Sequence, residues 1–503
     1  MINSFTRSLG SRFGITSVNA SNHTIVLGFV PGEYTIFKEM IDAADGDNLD
    51  ILVVSEYDED EVIRLIMENV AMNGHTKLAC KTSDICNPQA LIACSLANCK
   101  GVLINTPDDR TTIKVLLAVT MAAKQVDRKD IFVGAYFFGN EYIFPYDKEL
   151  TNVHVVYAKD YVPKMTARAA VLPGAASVYR ELLGFEGCEF YITKIDKAVG
   201  QSFSDYAASI ENAVLAGIVR DGRILVNPKD DVVIKDSDEI LVWSVNEDSA
   251  GMEDKKKKEP VREDVDTFNG LFSNSEVVII GYNYSIGDVL RQLPDSVTKI
   301  KIADVAATYR DKCTKGLPAE LSDKISFVDD IDDYRVLEDL AQTAGHFIIM
   351  YDYRYDSETA DMRSIQYILK LRDIRNRFEY LFNITAQMQC EYNRRLVQED
   401  NASDFVTASN IGAMMITQYM KCPRINKVFD ELLGSDGNEI MIKSADELGL
   451  AGMHTISQIR ELAYGNGYIF MGYIEGLGES RFCLDPNDSI VCDVADRLIV
   501  IGK

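Results

Sequence analysis

Positive charge is what this 503-residue chain most plainly lacks: 52 Lys and Arg stand against 77 Asp and Glu, a formal net charge of -25. Nucleic acid and anionic membrane surfaces both need a basic footprint, so neither is the expected partner. Cations and basic proteins stay open, although many acidic proteins bind neither. No run of about 18 apolar residues occurs, so no segment reads as a bilayer-spanning helix. The first residues, MINSFTRSLGSRFG, have no apolar h-region and do not read as a signal peptide. The ten cysteines (80, 86, 94, 99, 188, 313, 390, 422, 483 and 492) form no CxxC and no Cys/His set with zinc spacing. Thiols so scattered predict free cysteines in a reducing compartment, hence a cytoplasmic chain. The Asn-x-Ser/Thr matches at Asn19, Asn383, Asn401 and Asn487 are then chance.

Catalytic signatures are missing too. The five histidines (23, 75, 154, 346 and 454) are scattered. His23 and His346 open apolar strands, which predicts a structural role. No G-x-S-x-G, Walker loop, HExxH or EF-hand spacing appears. An oxidoreductase would need an intact cofactor loop and a proton donor, and neither is evident, so no enzyme is expected. Two acidic clusters, Asp329-Asp330 with Asp332-Asp333 and Asp230-Asp231 with Asp236 and Asp238, offer oxygens for Ca²⁺, but each by itself reads more readily as a solvated turn.

What is present is an internal repeat. Each half opens with an apolar strand running into glycine, TIVLGF at 24–29 and VVIIGY at 277–282. A second strand ends in an acid, ILVVSE at 51–56 and KIKIAD at 299–304. GVLINT at 101–106 and HFIIMYD at 346–352 follow. Further on, VYRELLGFEGCEFYI at 178–192 matches VFDELLGSDGNEIMI at 428–442, and the halves close alike at 227–244 and 485–503. Between them, 251–268 is charged and poor in apolar residues, with Lys255 to Lys258 inside it, and reads as a linker.

Strands alternate with amphipathic stretches. Val62, Leu65, Ile66 and Val70 recur at helical spacing behind the acids Asp58 to Glu61. Such alternation predicts parallel sheets with right-handed crossovers. The predicted fold class is therefore α/β, two tandem Rossmann-like modules, each followed by a crossover helix and a small α+β lobe. The expected spans are 1–160, 161–250, a linker at 251–272, 273–404 and 405–503. Strand pairs are expected around Gly222, Gly465 and Gly467, and crossover helices at Val162–Leu183 and Phe405–Leu433. Ile411, Met414, Met415 and Ile416 would dock a neighbouring module or fill the chain's own core.

A dinucleotide fold binds phosphate at the turn after its first strand and ribose at an acid ending the second. The first half offers Gly28, Gly32 and Glu56; the second offers Gly281, Gly287 and Asp304. Neither loop is G-x-G-x-x-G, and Pro31 removes a donor. Glycines kept for a tight strand-to-helix turn are the favoured reading of both loops, with NAD or an adenine nucleotide as the candidate ligand.

LLGFEGCEFYI at 182–192, NPKDDVVIKDSDEILV at 227–242, SDFVTASN at 403–410 and INKVFDELLGSDGNEIMI at 425–442 resemble the RCK modules that regulate K⁺ conductance. More narrowly they resemble the cytoplasmic region of CASTOR/POLLUX-type channels, over about residues 20–503. The resemblance implies a gating protein whose modules form eight-module rings, four copies of a tandem chain completing one. Ca²⁺, another cation or a nucleotide would shift the ring between shapes and so control a potassium or other cation pore. It also implies a membrane pore, as a separate subunit or as part of a longer protein, and a place at the inner face of the membrane. A stand-alone nucleotide-responsive sensor is the alternative function, and a Rossmann-fold oxidoreductase is less favoured.

Overall fold

The computed structural model describes residues 18–139, 150–210, 213–228, 232–247, 275–397, 403–434, 437–450, 452–475, 479–482, 484, 489–492 and 497–503. The expected linker, Lys255 to Lys258, Asp230 and Asp231 lie outside them. The chain divides into two compact units. One comprises Met1–Val162, Met388–Val397 and Thr407–Pro423; the other comprises Pro163–Gln387, Gln398–Val406 and Arg424–Lys503.

In the first unit β1 (Thr24–Leu27), α1 (Thr35–Ala43), β2 (Leu49–Ser55), α2 (Glu59–Asn69) and β3 (Thr76–Thr82) come first. Then follow α3 (Pro88–Ile92), β4 (Gly101–Ile104), α4 (Asp109–Gln125), β5 (Phe132–Phe137) and β6 (Val153–Tyr157). The strands form one sheet in the order β3-β2-β1-β4-β5-β6, with parallel pairing throughout. Its interior is continuous hydrocarbon (Val26, Leu52, Val53, Val54, Val102, Leu103), as in a parallel sheet covered on both faces. Asp58 caps α2 by accepting from the Asp60 and Glu61 amides, both at 3.1 Å, ahead of an acidic first turn.

A crossover follows, α5 (Ala158–Val171) and α6 (Ala175–Leu183), and then a small lobe. The lobe holds β7 (Glu189–Thr193), α7 (Phe203–Ser209), β8 (Ala213–Arg220), β9 (Arg223–Val226) and β10 (Glu239–Ser244), with sheet order β7-β10-β8-β9.

The second half repeats the plan. It runs β11 (Glu276–Ile280), α8 (Ile286–Gln292), β12 (Lys299–Ala303), α9 (Ala307–Thr314), α10 (Ala319–Ser322) and β13 (Ile325–Val328). Next are α11 (Tyr334–Thr343), β14 (His346–Ile349), α12 (Ser357–Phe378), β15 (Asn383–Met388), α13 (Glu391–Arg395) and β16 (Ser403–Thr407). Sheet order β13-β12-β11-β14-β15-β16 is that of the first sheet. The crossover is α14 (Ala408–Lys421) and α15 (Asn426–Leu433). The last lobe contains β17 (Glu439–Ser444), β18 (Gly452–Thr455), α16 (Ile456–Gly465), β19 (Ile469–Glu475), β20 (Glu479–Phe482), β21 (Ser489–Cys492) and β22 (Arg497–Gly502). Its main sheet runs β17-β22-β19-β20, beside a β18-β21 pair. Both modules are Rossmann-like. The repeat extends to caps: Asp108 and Asp356 each accept from the amide and hydroxyl of a threonine three residues on, Thr111 and Thr359.

Three expectations are corrected. Each crossover is two helices: Pro173 and Gly174 (φ 87°) interrupt the first, and Pro423 the second, where proline cannot donate to a continuing helix. Gly222 does turn β8 into β9, but Gly465 ends α16 and Gly467 (φ 83°) carries the chain from that helix into β19. Cys188 is disulfide-bonded, not free. The other cysteines described as free are 80, 86, 94, 99, 313, 390 and 422.

The crossover helices do not stay with the halves that encode them. α14, from the second half, packs on β5, β6 and α1 of the first sheet. Gly412 permits it, because a Cβ there would lie 2.6 Å from the buried Tyr136 ring. Ile411, Met414, Met415 and Ile416 are buried in this contact, so they are core of their own chain. Reciprocally, the α5 residues Ala167 and Ala170 enter the core of the second sheet. A buried polar ladder fixes that end of α5. Asn383 donates to the Ala169 and Ala170 carbonyls (2.9 and 3.1 Å), and Gln387 donates to Thr166 (2.9 Å) while accepting from Asn283 (2.8 Å). Orphan carbonyls at a helix end are thereby satisfied.

His346 joins the ladder through the Ala170 carbonyl, and burial lowers its pKa to about 4. The folded state prefers the neutral ring, so its contribution is complete above pH 6.5 and is lost as pH falls toward 4. The wild-type chain is expected to lose about 3 kcal/mol across that window through this group. His346→Gln should flatten that part of a pH–stability curve from urea unfolding. An unchanged slope would show that His346 is protonated as readily folded as unfolded.

In the second unit Trp243, Phe190 and the crossover residue Phe429 form one aromatic core, with Phe190 4.5 Å from Trp243 and 6.4 Å from Phe429. Lys164 and Arg168 of α5, one turn apart, both pair with Glu439 at the start of β17 (2.8 and 3.2 Å).

Candidate ligand-binding site

In each sheet the strand order reverses beside the first strand, and the crevice at the carboxyl ends there is where such folds take ligands. In the first crevice Gly28 (φ 95°) follows β1, and an added Cβ would overlap the Asn105 carbonyl oxygen beyond β4. At Gly32 (φ 92°) a Cβ would come within 2.7 Å of the Tyr392 side chain. Glu56 is exposed beyond β2.

The next residue, Glu33, sequence reading passed over. Its carboxyl group is buried and accepts from the Glu391 amide at 2.7 Å and the Ser409 hydroxyl at 2.8 Å. Burial, with the neighbouring Glu391 carboxylate adding to it, raises its pKa to about 8, against hydrogen bonds that favour the charge. Beside it Tyr136 donates to Asn105 (3.0 Å). The turn after β1 therefore carries a buried carboxyl tied to the starts of α13 and α14.

The second crevice has different walls. Gly281 (φ 91°) would place a Cβ 3.0 Å from the Met350 carbonyl oxygen, a less severe approach than at Gly28. Gly287 lies in the first turn of α8, near Arg291. Asp304, half-buried at φ 59°, accepts from Arg363 at 2.7 Å through its carboxylate and from Arg354 at 2.9 Å through its carbonyl. Arg354 also forks onto the Asp352 carboxylate. Tyr282 and Tyr309 stand 4.9 Å apart, with Arg354 5.8 Å over the Tyr309 ring. Tyr284 and Tyr353 stack at 5.9 Å and are partly exposed. Gly281, Asp304 and Asp352 thus follow three adjacent strands, with aromatic faces and guanidinium groups beside them. Such groups suit an aromatic ligand bearing anionic charge.

Four acids of the two clusters have protein partners. Asp329 pairs with Arg310, Asp332 accepts from Tyr367 (3.1 Å), and Asp333 caps α11. Asp238 forks onto Arg220. Among the described residues no three His, Cys, Asp or Glu side chains converge on a metal-sized site. No described helix is long and apolar enough to cross a membrane.

The duplicated Glu-Leu-Leu-Gly stretch has a physical reason. Glu181 and Glu431 fold over glycines six residues on, Gly187 (φ 98°) and Gly437 (φ 114°), where a side chain would collide with the glutamate. Glu431 accepts from the Asn438 amide group at 2.8 Å. Asp404, in SDFVTASN, accepts from the Gly174 amide at 2.8 Å at the break between α5 and α6. Ser409, in the same segment, is the hydroxyl on Glu33.

Residues 159–261 match the family model described as Castor and Pollux, part of voltage-gated ion channel. The probable ion channel POLLUX of Arabidopsis thaliana is 23% identical over 497 residues, covering 86% of this chain and 58% of its own length. The ion channel CASTOR of Lotus japonicus is 24% identical over 490 residues, covering 86% and 56%. Over most of its length this chain is similar to the CASTOR and POLLUX channels. It spans a little over half the length of these curated relatives. The Castor and Pollux match opens at Lys159, at the start of α5, so the Glu181–Gly187 clasp and the residues Lys164 and Arg168 fall within it. In fold, the chain is similar to the human SLO3 gating ring: TM-score 0.59, 10% identity, covering 96% of this chain and 99% of that one.

Glu33, Glu391 and Ser409 escaped sequence reading because 358 and 376 residues separate the partners. Arg354 left one signal, a base between Tyr353 and Tyr355 directly after HFIIMYD, while Arg363 sits further on, in α12.

Proposed function

We propose that this chain is the ligand-sensing regulatory part of a cation channel, working as one repeating unit of a gating ring. The observation that carries this reading is the alignment of 86% of the chain with relatives named as ion channels. The crevice between β11, β12 and β14 is the effector site in this reading, with Tyr282, Tyr309, Arg354 and Arg363 receiving a nucleotide such as NAD or an adenine nucleotide. The first crevice, where Gly32 abuts Tyr392 and the turn carries the buried Glu33, is the regulatory counterpart that needs no such ligand. Effector binding shifts the ring between shapes in proportion to its differential affinity for them. The conducted ion is potassium or another cation, and the pore lies outside the described residues.

Light scattering on the purified chain, with and without Ca²⁺ and with and without NAD or ATP, tests the reading. A particle of four times 56.2 kDa, or a dimer converted to one by an effector, is the expected result. A strict monomer in every condition would remove ring gating and leave a stand-alone sensor.

A further inference from the structure

We propose that Glu33 is a proton-operated clasp, holding the crossover helix α14 on the first sheet while its carboxyl is neutral and loosening it when ionised. Three separate elements meet on this one group. The turn after β1 carries it, the amide of Glu391 at the start of α13 reaches one oxygen, and Ser409 in the first turn of α14 reaches the other. Only 5% of Glu33 is exposed, so water does not solvate a charge there. The Cys390 thiol also hydrogen-bonds to it.

Among the described residues, the groups that act on its charge are Ser409, Glu391 and Cys390, none of them a cation. β5 contributes Tyr136, whose own ionisation the Glu33 charge opposes, and Asp109 of α4 acts on that tyrosine in the same sense. α13 contributes Glu391, Arg394 and Arg395, but both arginines are on the Glu391 carboxylate, at 2.7 and 3.6 Å. The charged residue of α14 is Lys421, at its far end; α1, the helix after Glu33, carries Lys38, Glu39 and Asp42. A proton on the Ser409-facing oxygen turns that contact round, the carboxyl donating to the hydroxyl oxygen. Loss of the proton leaves an anion beside a second buried carboxylate.

The folded-state pKa of about 8 lies above the ordinary 4.5. Stability from the neutral group is therefore complete below 4.5 and is lost as pH rises through 8, up to ten-fold in the docked equilibrium per pH unit. The most sensitive range spans neutral pH. What is released is the end of α14 whose Ile411, Met414, Met415 and Ile416 are core, so the equilibrium reports on the seating of the whole helix.

Hydrogen exchange of the α14 amides in the full chain, corrected for intrinsic rates, tests the clasp. Wild-type protection should fall at least ten-fold between pH 6 and pH 8.5. Glu33→Gln, which keeps the shape but cannot ionise, should hold its protection flat across that range. Glu33→Met serves the same purpose if the amide variant fails to fold. Flat wild-type protection overturns the proposal, and so does a variant that follows the wild-type curve.

Discussion

Gly28→Ala is expected to cost about 4 kcal/mol of folding stability, and the equivalent Gly281→Ala only about 1–2 kcal/mol. Both glycines follow the first strand of a Rossmann-like sheet with φ above 90°, so both lose the left-handed conformation that glycine alone adopts freely. The difference is what a methyl group meets. At Gly28 it overlaps the Asn105 carbonyl oxygen, a backbone atom held by its amide's bond to Leu27 at 2.8 Å. At Gly281 the Met350 oxygen is 3.0 Å away, and a shift of a few tenths of an ångström relieves it. Urea unfolding followed separately for the two units, since two units need not melt as one, measures both costs. Equal losses would mean that the Asn105 strand end yields, and that the first crevice is no more tightly closed than the second.

Gly412→Val should be the most damaging change in α14, at roughly 3 kcal/mol. The helix lies so close to β5 that even a Cβ would sit 2.6–2.9 Å from three atoms of Tyr136. That ring cannot step aside, because it is buried and its hydroxyl is bonded to Asn105. The variant should lose exchange protection along α14 while the ladder of Asn383, Gln387 and Thr166 on α5 keeps its own. Parallel loss at both helices would show that the two crossovers unfold together.

Much of this architecture was legible in the chain. The strand pattern and the repeat predicted two Rossmann-like modules with small α+β lobes, because a strand buried on both faces must be continuously apolar and a duplicated fold repeats its constraints. His23 and His346 were readable as structural, and each ring reaches one main-chain carbonyl, of Cys94 and of Ala170 respectively. The crossovers were read as single helices because Pro173 and Pro423 break a periodicity that otherwise runs on.

The candidate sites were legible only in part. The glycines after each first strand and Asp304 could be placed, since turn geometry is local. Their partners could not: Glu33 finds Glu391 and Ser409, and Gly32 finds Tyr392, across more than 350 residues. No pattern within 20 residues records such a meeting.

Composition and periodicity by themselves determined the fold class, the duplication and the acidic surface, because burial and strand pairing act through neighbours along the chain. Only the tertiary structure decided that α14 belongs to the first sheet and the end of α5 to the second. It also decided that the turn after β1 holds a buried carboxyl, while tyrosines and arginines stand beside the strand ends of the second sheet. The physical reason is distance: close approach at Gly412, and the burial that raises Glu33, exist only once remote segments are packed together.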